Sequence, residues 1–203
     1  MKIKRLVIGT SNPGKMVEWT FLLQDHIKVL SAIDIGIKDS PEETGKTFLE
    51  NAIEKAKFYA KKSGEYILSE DGGFEVDYLK GLPGVKSRRI LPGGKDGTDR
   101  QLINYILKKL EGVPENKRTA RITSAVVISD PKGKIIYEDK GTMDGIISIE
   151  VSKKLIKGYP YRSILYLPKL KKYYSELSEK EHKKLAHKKV IAERISNFLL
   201  KYK

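Results

Sequence analysis

The chain has 203 residues, no cysteine, and 40 basic against 26 acidic side chains, a net charge of +14. This length predicts one domain over residues 1–203, built as two joined lobes, that closes a core without cross-links. Disulfides, thiolate metal sites and cysteine nucleophiles are excluded, and the positive surplus favours anionic partners such as nucleotides, nucleic acid or acidic membranes.

No apolar run reaches the ~18 residues of a membrane span. The apolar stretch after the basic start is too short for a secretory leader, so no membrane association and a cytoplasmic location are expected.

Residues 3–9 are largely apolar and predict a buried strand. The turn Thr10-Ser11-Asn12-Pro13-Gly14-Lys15 follows, with Ser11 or Asn12 placed to cap a helix over 14–25. Met16, Trp19, Leu22 and Leu23 keep helical spacing there. A second strand is predicted from Ile27 to Leu30, a loop over 35–44, and a helix from Thr47 to Lys62. Phe48, Ala52, Ala56 and Tyr59 share one face of that helix, and Gly64 stands where a C-terminal cap glycine belongs.

A short strand, 66–69, closes on Glu70-Asp71-Gly72-Gly73. Residues 80–97, rich in glycine and carrying Pro83 and Pro92, predict a long functional loop. A helix over 98–110 leads to two long strands, 118–129 and 133–148, joined by Asp130-Pro131-Lys132-Gly133 as a hairpin. Residues 164–167 predict a further strand. A last helix is predicted over 179–202, with Ser178 and Glu181 as its capping box. Alternating strands and helices with a hairpin predict an α/β fold with an elongated mixed sheet flanked by helices, in two lobes with a central cleft.

Three constellations could carry chemistry. The turn 10–15 opens a helix, where backbone N–H groups favour a phosphate, and Thr10, Ser11, Asn12 and Lys15 add donors and charge. An ordinary capped turn would look the same. Glu42, Glu43, Glu50, Glu70 and Asp71 could supply hard oxygens to Mg²⁺, or serve as helix caps and solvated surface. Gly72 and Gly73 suggest close approach to a ligand or a turn with positive φ. The tail Lys171-Lys172-Tyr173-Tyr174 with His182 and His187 suits base stacking and phosphate contact, or a solvated helix face.

Together these stretches resemble the inosine triphosphate pyrophosphatase family, also called Ham1-like. The resemblance runs over 7–89 and returns over 168–195. Asp39-Ser40-Pro41-Glu42-Glu43-Thr44-Gly45-Lys46-Thr47-Phe48-Leu49-Glu50-Asn51-Ala52 is similar to a family signature. So are Glu70-Asp71-Gly72-Gly73-Phe74-Glu75-Val76 and Gly81-Leu82-Pro83-Gly84-Val85-Lys86-Ser87. Tyr174-Ser175-Glu176-Leu177-Ser178 and Ala186-His187-Lys188 resemble its late stretches.

The resemblance implies a two-lobed fold with a nucleotide in the cleft, a homodimer, and Mg²⁺-dependent hydrolysis of a nucleoside triphosphate to monophosphate and pyrophosphate. It implies Asp71 as proton acceptor and metal ligand, with Glu43, Glu70 and Glu50 as further metal carboxylates. Thr10, Ser11, Asn12 and Lys15 would hold the triphosphate, and Lys172 and His187 would face the nucleotide.

The sequence departs from the family at Tyr159-Pro160-Tyr161-Arg162-Ser163, where the family carries Phe-Gly-Tyr-Asp-Pro. Arg162 replaces an acid there, while Tyr159 and Tyr161 keep stacking surfaces for a purine. Gly72 replaces a serine, and Lys188 an arginine that could make a bidentate fork. A non-enzymatic or specificity-shifted nucleotide or nucleic-acid binder of the same fold is the alternative.

Overall fold

The computed structural model describes residues 3–178, 180–182 and 187–202. The chain divides into two units, each assembled from separate stretches: residues 1–71, 124–141 and 187–203 form the first, and 72–123 with 142–186 the second.

In the first unit, β1 (Arg5–Ile8) pairs in parallel with β2 (Lys28–Ser31) on one side and with β3 (Ile67–Val76) on the other. Next to β3 lie β5 (Thr119–Ser129) and then β6 (Ile135–Ile147). The strands β3, β5 and β6 each continue from the first unit into the second.

Helices cover both faces of the first unit's sheet, and strand alternation sorts the core accordingly. Leu6, Ile8, Leu68, Val126 and Ile128 pack with Trp19 and Leu23 of α1 (Pro13–Leu23) and with Ile191 and Ile195 of a C-terminal helix, His187–Lys201. The intervening Val7, Ile67 and Val127 pack with Ala52, Ala56 and Tyr59 of α2 (Phe48–Ser63). Each such aliphatic side chain contributes about 1.5–3 kcal/mol when fully buried. The small residues on α2 bring its backbone close to the sheet.

The second unit holds β4 (Pro83–Gly84), antiparallel to β3, and α3 (Asp99–Lys109). It also holds β7 (Leu165–Leu167) between β6 and β8 (Lys172–Tyr173), all antiparallel. Its core joins Phe74 and Val76 of β3 to Leu102, Ile103 and Ile106 of α3 and to Ile164 and Tyr174. The C-terminal helix of the first unit is α4 in chain order.

The structure lengthens one expected element and adds two. The strand read as 66–69 runs ten residues, through Gly72 and Gly73, so those glycines are extended and not a turn. The glycine-rich loop contributes β4, and the tail contributes β8. The hydrogen bonds of the expected box are present, the Ser178 N–H donating to Glu181 Oε2 at 2.8 Å and the Glu181 N–H to Ser178 Oγ at 3.3 Å, but the last helix described begins at His187. Residues 179 and 183–186 of that expected helix, Ala186 among them, lie outside the described residues.

Candidate active site

The turn between β1 and α1 is built by Asn12. It is the helix N-cap, and its Oδ1 accepts from the N–H groups of Gly14 at 2.8 Å and Lys15 at 3.2 Å. Thr10 Oγ1 accepts from the Asn12 N–H at 3.1 Å, and Ser11 is exposed. Pro13 at the first helical position has no N–H to offer. The cap therefore already uses two N–H groups that an anion could take. What remains for a phosphate is the hydroxyls, the Asn12 side-chain NH₂ and the Lys15 ammonium. That ammonium leans back toward β3, 3.4 Å from the Glu70 carbonyl oxygen and 3.9 Å from its carboxylate.

Glu70 and Asp71 are neighbours on β3, so alternation sends them to opposite faces. Glu70 shares the face of α1 and α4. Its Oε2 accepts from the Trp19 indole N–H at 2.7 Å. Its Oε1 accepts from the Ser124 hydroxyl at 2.9 Å and lies 3.0 Å from the Lys188 ammonium. Lys188 also bonds Glu18 at 2.7 Å, which ties α4 to α1. Ser124 Oγ is 3.0 Å from His187 Nε2. With the Ser124 hydrogen given to Glu70, the imidazole must be the donor of that bond.

Burial alone would raise the Glu70 pKa. Lys15, Lys188 and the indole N–H outweigh it and hold the carboxyl well below the usual range. Burial would lower Lys188, but Glu70 and Glu18 push it up. Lys15 is drawn down by burial, against the pull of Glu70 and with the repulsion of Lys55 and Lys188.

Asp71 faces α2. Its Oδ1 accepts from Lys55 Nζ at 2.8 Å and its Oδ2 from Asn51 Nδ2 at 3.1 Å. Lys55 bonds Glu43 equally closely, at 2.8 Å. Asn51 Oδ1 accepts from the Gly45 N–H at 2.8 Å, and the Glu54 carboxylate accepts from both the N–H and the hydroxyl of Thr44. These bonds pin the 43–45 loop to α2 and hold Glu43 at the shared ammonium. Burial would lower Lys55, yet Asp71 and Glu43 raise it.

The expected metal carboxylates thus separate. Glu43 and Asp71 come together across Lys55, whereas Glu70 belongs to the other face. Glu50 turns back on its own helix, accepting from the Thr47 N–H at 3.0 Å in the capping box of α2. Among the described residues no group of three or more acidic, histidine or cysteine side chains could hold a metal ion. Mg²⁺, however, commonly takes only one or two carboxylates and completes its shell with phosphate and water oxygens. Two hard carboxylates already gathered around one cationic centre are a donor set of that kind.

The base-directed candidates lie in the second unit. The Arg162 guanidinium stacks over Tyr159 at 4.1 Å and over Tyr174 at 5.0 Å. Tyr161 is buried, its ring stacked on Phe74 at 4.6 Å and its hydroxyl donating to the Ser87 carbonyl, so one ring face is already occupied. Lys172 pairs with Glu181 at 2.6 Å. Gly72 continues β3 beside Asp71. His187 and Lys188, read from the sequence as nucleotide-facing, open α4 in the first unit within the Glu70 cluster.

Sequence reasoning missed Lys55, Asn51, Ser124 and the role of Trp19. A signal was present for the first two. Asn51 and Lys55 are four apart and interrupt the apolar stripe of Ala52, Ala56 and Tyr59, where a polar residue must find a buried partner.

The fold and these clusters define an α/β protein whose lysine-bearing strand–turn–helix adjoins buried carboxylate–lysine pairs. Residues 6–198 match the Ham1 family, and the chain belongs to it. It is 36% identical over 185 residues to a dITP/XTP pyrophosphatase of Desulforamulus reducens, covering 91% of this chain and 90% of that one. It is 34% identical over 198 residues to a dITP/XTP pyrophosphatase of Bacillus licheniformis, covering 97% and 98%. Its structure is similar to that of a HAM1 protein from Coxiella burnetii, with TM-score 0.85, 30% identity and coverage of 98% and 99%.

Proposed function

We propose that the chain is a Mg²⁺-dependent nucleoside triphosphate pyrophosphatase acting on inosine and xanthosine triphosphates or their deoxy forms, releasing the monophosphate and pyrophosphate. A cytoplasmic homodimer, folded as one two-lobed domain, belongs to the same proposal. The observation that carries it is the Glu43–Lys55–Asp71 group, whose Lys55 and Asp71 lie within electrostatic reach of the Lys15 ammonium. The names of the relatives point the same way.

Phosphoanhydride hydrolysis asks for charge neutralisation and an oriented water, with no covalent intermediate on the protein. Asp71 accepts the proton of the attacking water, and Asn51 and Lys55 fix the orientation of its carboxylate. Lys15, with Thr10, Ser11 and Asn12, binds the phosphate oxygens. Glu43 and Asp71 would hold Mg²⁺, which supplies further neutralisation of the phosphoryl charge when bound. Tyr159, with Arg162 stacked upon it, offers a flat cationic surface to a purine.

The test is pyrophosphate release from inosine, xanthosine, guanosine and adenosine triphosphates, with and without Mg²⁺. Metal-dependent release, at least tenfold faster for inosine or xanthosine, is expected. Release at buffer level for every base would sink the reading and leave a binding protein.

A further inference from the structure

A cavity in the second unit shares no residue with the sites described above. It has a volume of 640 Å³ and is walled by Leu107, Leu110, Val113, Pro114 and Ile149, with Arg118 among them. The volume lies within the ~300–1,000 Å³ typical of small-molecule sites. Lys108, Glu111 and Gly112 also line it.

Arg118 is the unusual member. It is 4% exposed, and its Nε has no hydrogen-bond partner among the described residues. Its backbone is fixed on both sides: its N–H donates to the Glu115 carbonyl at 3.0 Å, and its carbonyl accepts from the Ile147 N–H at 2.9 Å. Burial draws the guanidinium pKa down, with Glu115 pulling the other way. A guanidinium does not shed its proton in a protein, so a buried cation lining a largely apolar cavity favours an anionic occupant over a neutral or cationic one.

We infer that this cavity binds a small carboxylate with an apolar body, its carboxylate on Arg118 and its hydrocarbon against Leu107, Leu110 and Val113. One guanidinium matches one carboxylate in shape and charge. Apolar walls disfavour a doubly charged, strongly hydrated phosphate. Ile149, 75% exposed, forms an open rim through which such a ligand can enter.

Hexanoate, hexanol and hexylammonium, titrated into the full-length protein and followed by calorimetry, test the assignment. Saturable binding of hexanoate is expected, with hexanol and hexylammonium at least tenfold weaker. Arg118→Met should bring hexanoate and hexanol within twofold of each other. Ile149→Trp, on the exposed rim, should weaken hexanoate at least fivefold without lowering the melting temperature, and it decides the matter should Arg118→Met fail to fold. No saturable hexanoate binding, or equal affinity for hexanol, would overturn the assignment. So would a wild-type dimer that Ile149→Glu dissociates while hexanoate binds neither form, since the cavity would then be a self-association face.

Discussion

Glu70 is a buried carboxylate kept ionised by two lysines and an indole, and this makes its contribution to stability depend on pH. Its pKa in the fold is depressed below the value of ~4.3 expected in the unfolded chain. The contribution is therefore complete above that unfolded value and is lost as pH falls toward the folded one. Lys188 has the opposite sign: its raised pKa gives stability that is present below its ordinary value near ~10.4 and lost as pH rises through the folded one. Urea unfolding of wild type and Glu70→Gln between pH 3 and 7 reads the first effect. The stability gap between them should be flat above about pH 5 and shrink below about pH 4; a gap that stays constant across the range would refute it. Lys55 permits a sharper dissection. It is buried between two acids, so Lys55→Met leaves both carboxylates without their cation and should cost about 3–5 kcal/mol. Melting would fall on the order of 10 °C. Adding Asp71→Asn should recover part of that loss, as coupled groups do. Asp71→Asn alone should keep the fold and lower turnover by roughly 10²–10⁴-fold. An Asp71→Asn protein with wild-type turnover would remove Asp71 from the chemistry.

Elements are legible where the sequence carries its own punctuation. α2 begins with Thr47 and Glu50 in a reciprocal capping box and ends at Gly64 with φ of 66°, all local signals. The extent of β3 is not local. Glu70-Asp71-Gly72-Gly73 looks like a turn, but β3 runs on beside β5 past its pairing with β1 at Ile67 and Leu68, and these polar and glycine residues are part of the extended strand. The candidate site was half legible for the same reason. The turn and the acids announce themselves by residue type, whereas their sorting onto two faces depends on the strand continuing through them. Gly9, at the end of β1, governs how closely these elements approach. Its N–H donates to the Leu68 carbonyl at 2.8 Å. A Cβ there would stand 2.5 Å from Ser69 Oγ, 2.7 Å from the Tyr59 ring and 2.8 Å from Ile67. Gly9→Ala must push β1 away from β3 and α2, at a cost of about 1–3 kcal/mol. Because the turn proposed to hold the phosphates starts one residue later, KM for the triphosphate should rise as well. Unchanged melting and unchanged KM would mean that β1 relaxes freely.

At the scale of the whole molecule, the alternation of strands and helices and the β5–β6 hairpin were readable, but the division into units was not. At three of the four borders, 71–72, 123–124 and 141–142, no glycine–proline linker or shift in composition marks the division, because each falls inside a strand. Three strands thus carry the chain from one unit to the other, and neither unit is a contiguous piece that could fold by itself from one end of the sequence. A strand cannot be ordered in its first half and random in its second without losing the ladder bonds on either side of the break. The expectation is one cooperative unfolding transition. Trp19 makes this measurable: it is the chain's single tryptophan, fully buried, and hydrogen-bonded to Glu70 in the first unit. Its fluorescence reports that unit alone, whereas far-ultraviolet circular dichroism reports all helices and strands. Urea midpoints from the two probes should coincide, as two-state unfolding requires. An early dichroism change to which Trp19 is silent would show the second unit unfolding first, and would make β3, β5 and β6 hinges between independently stable parts.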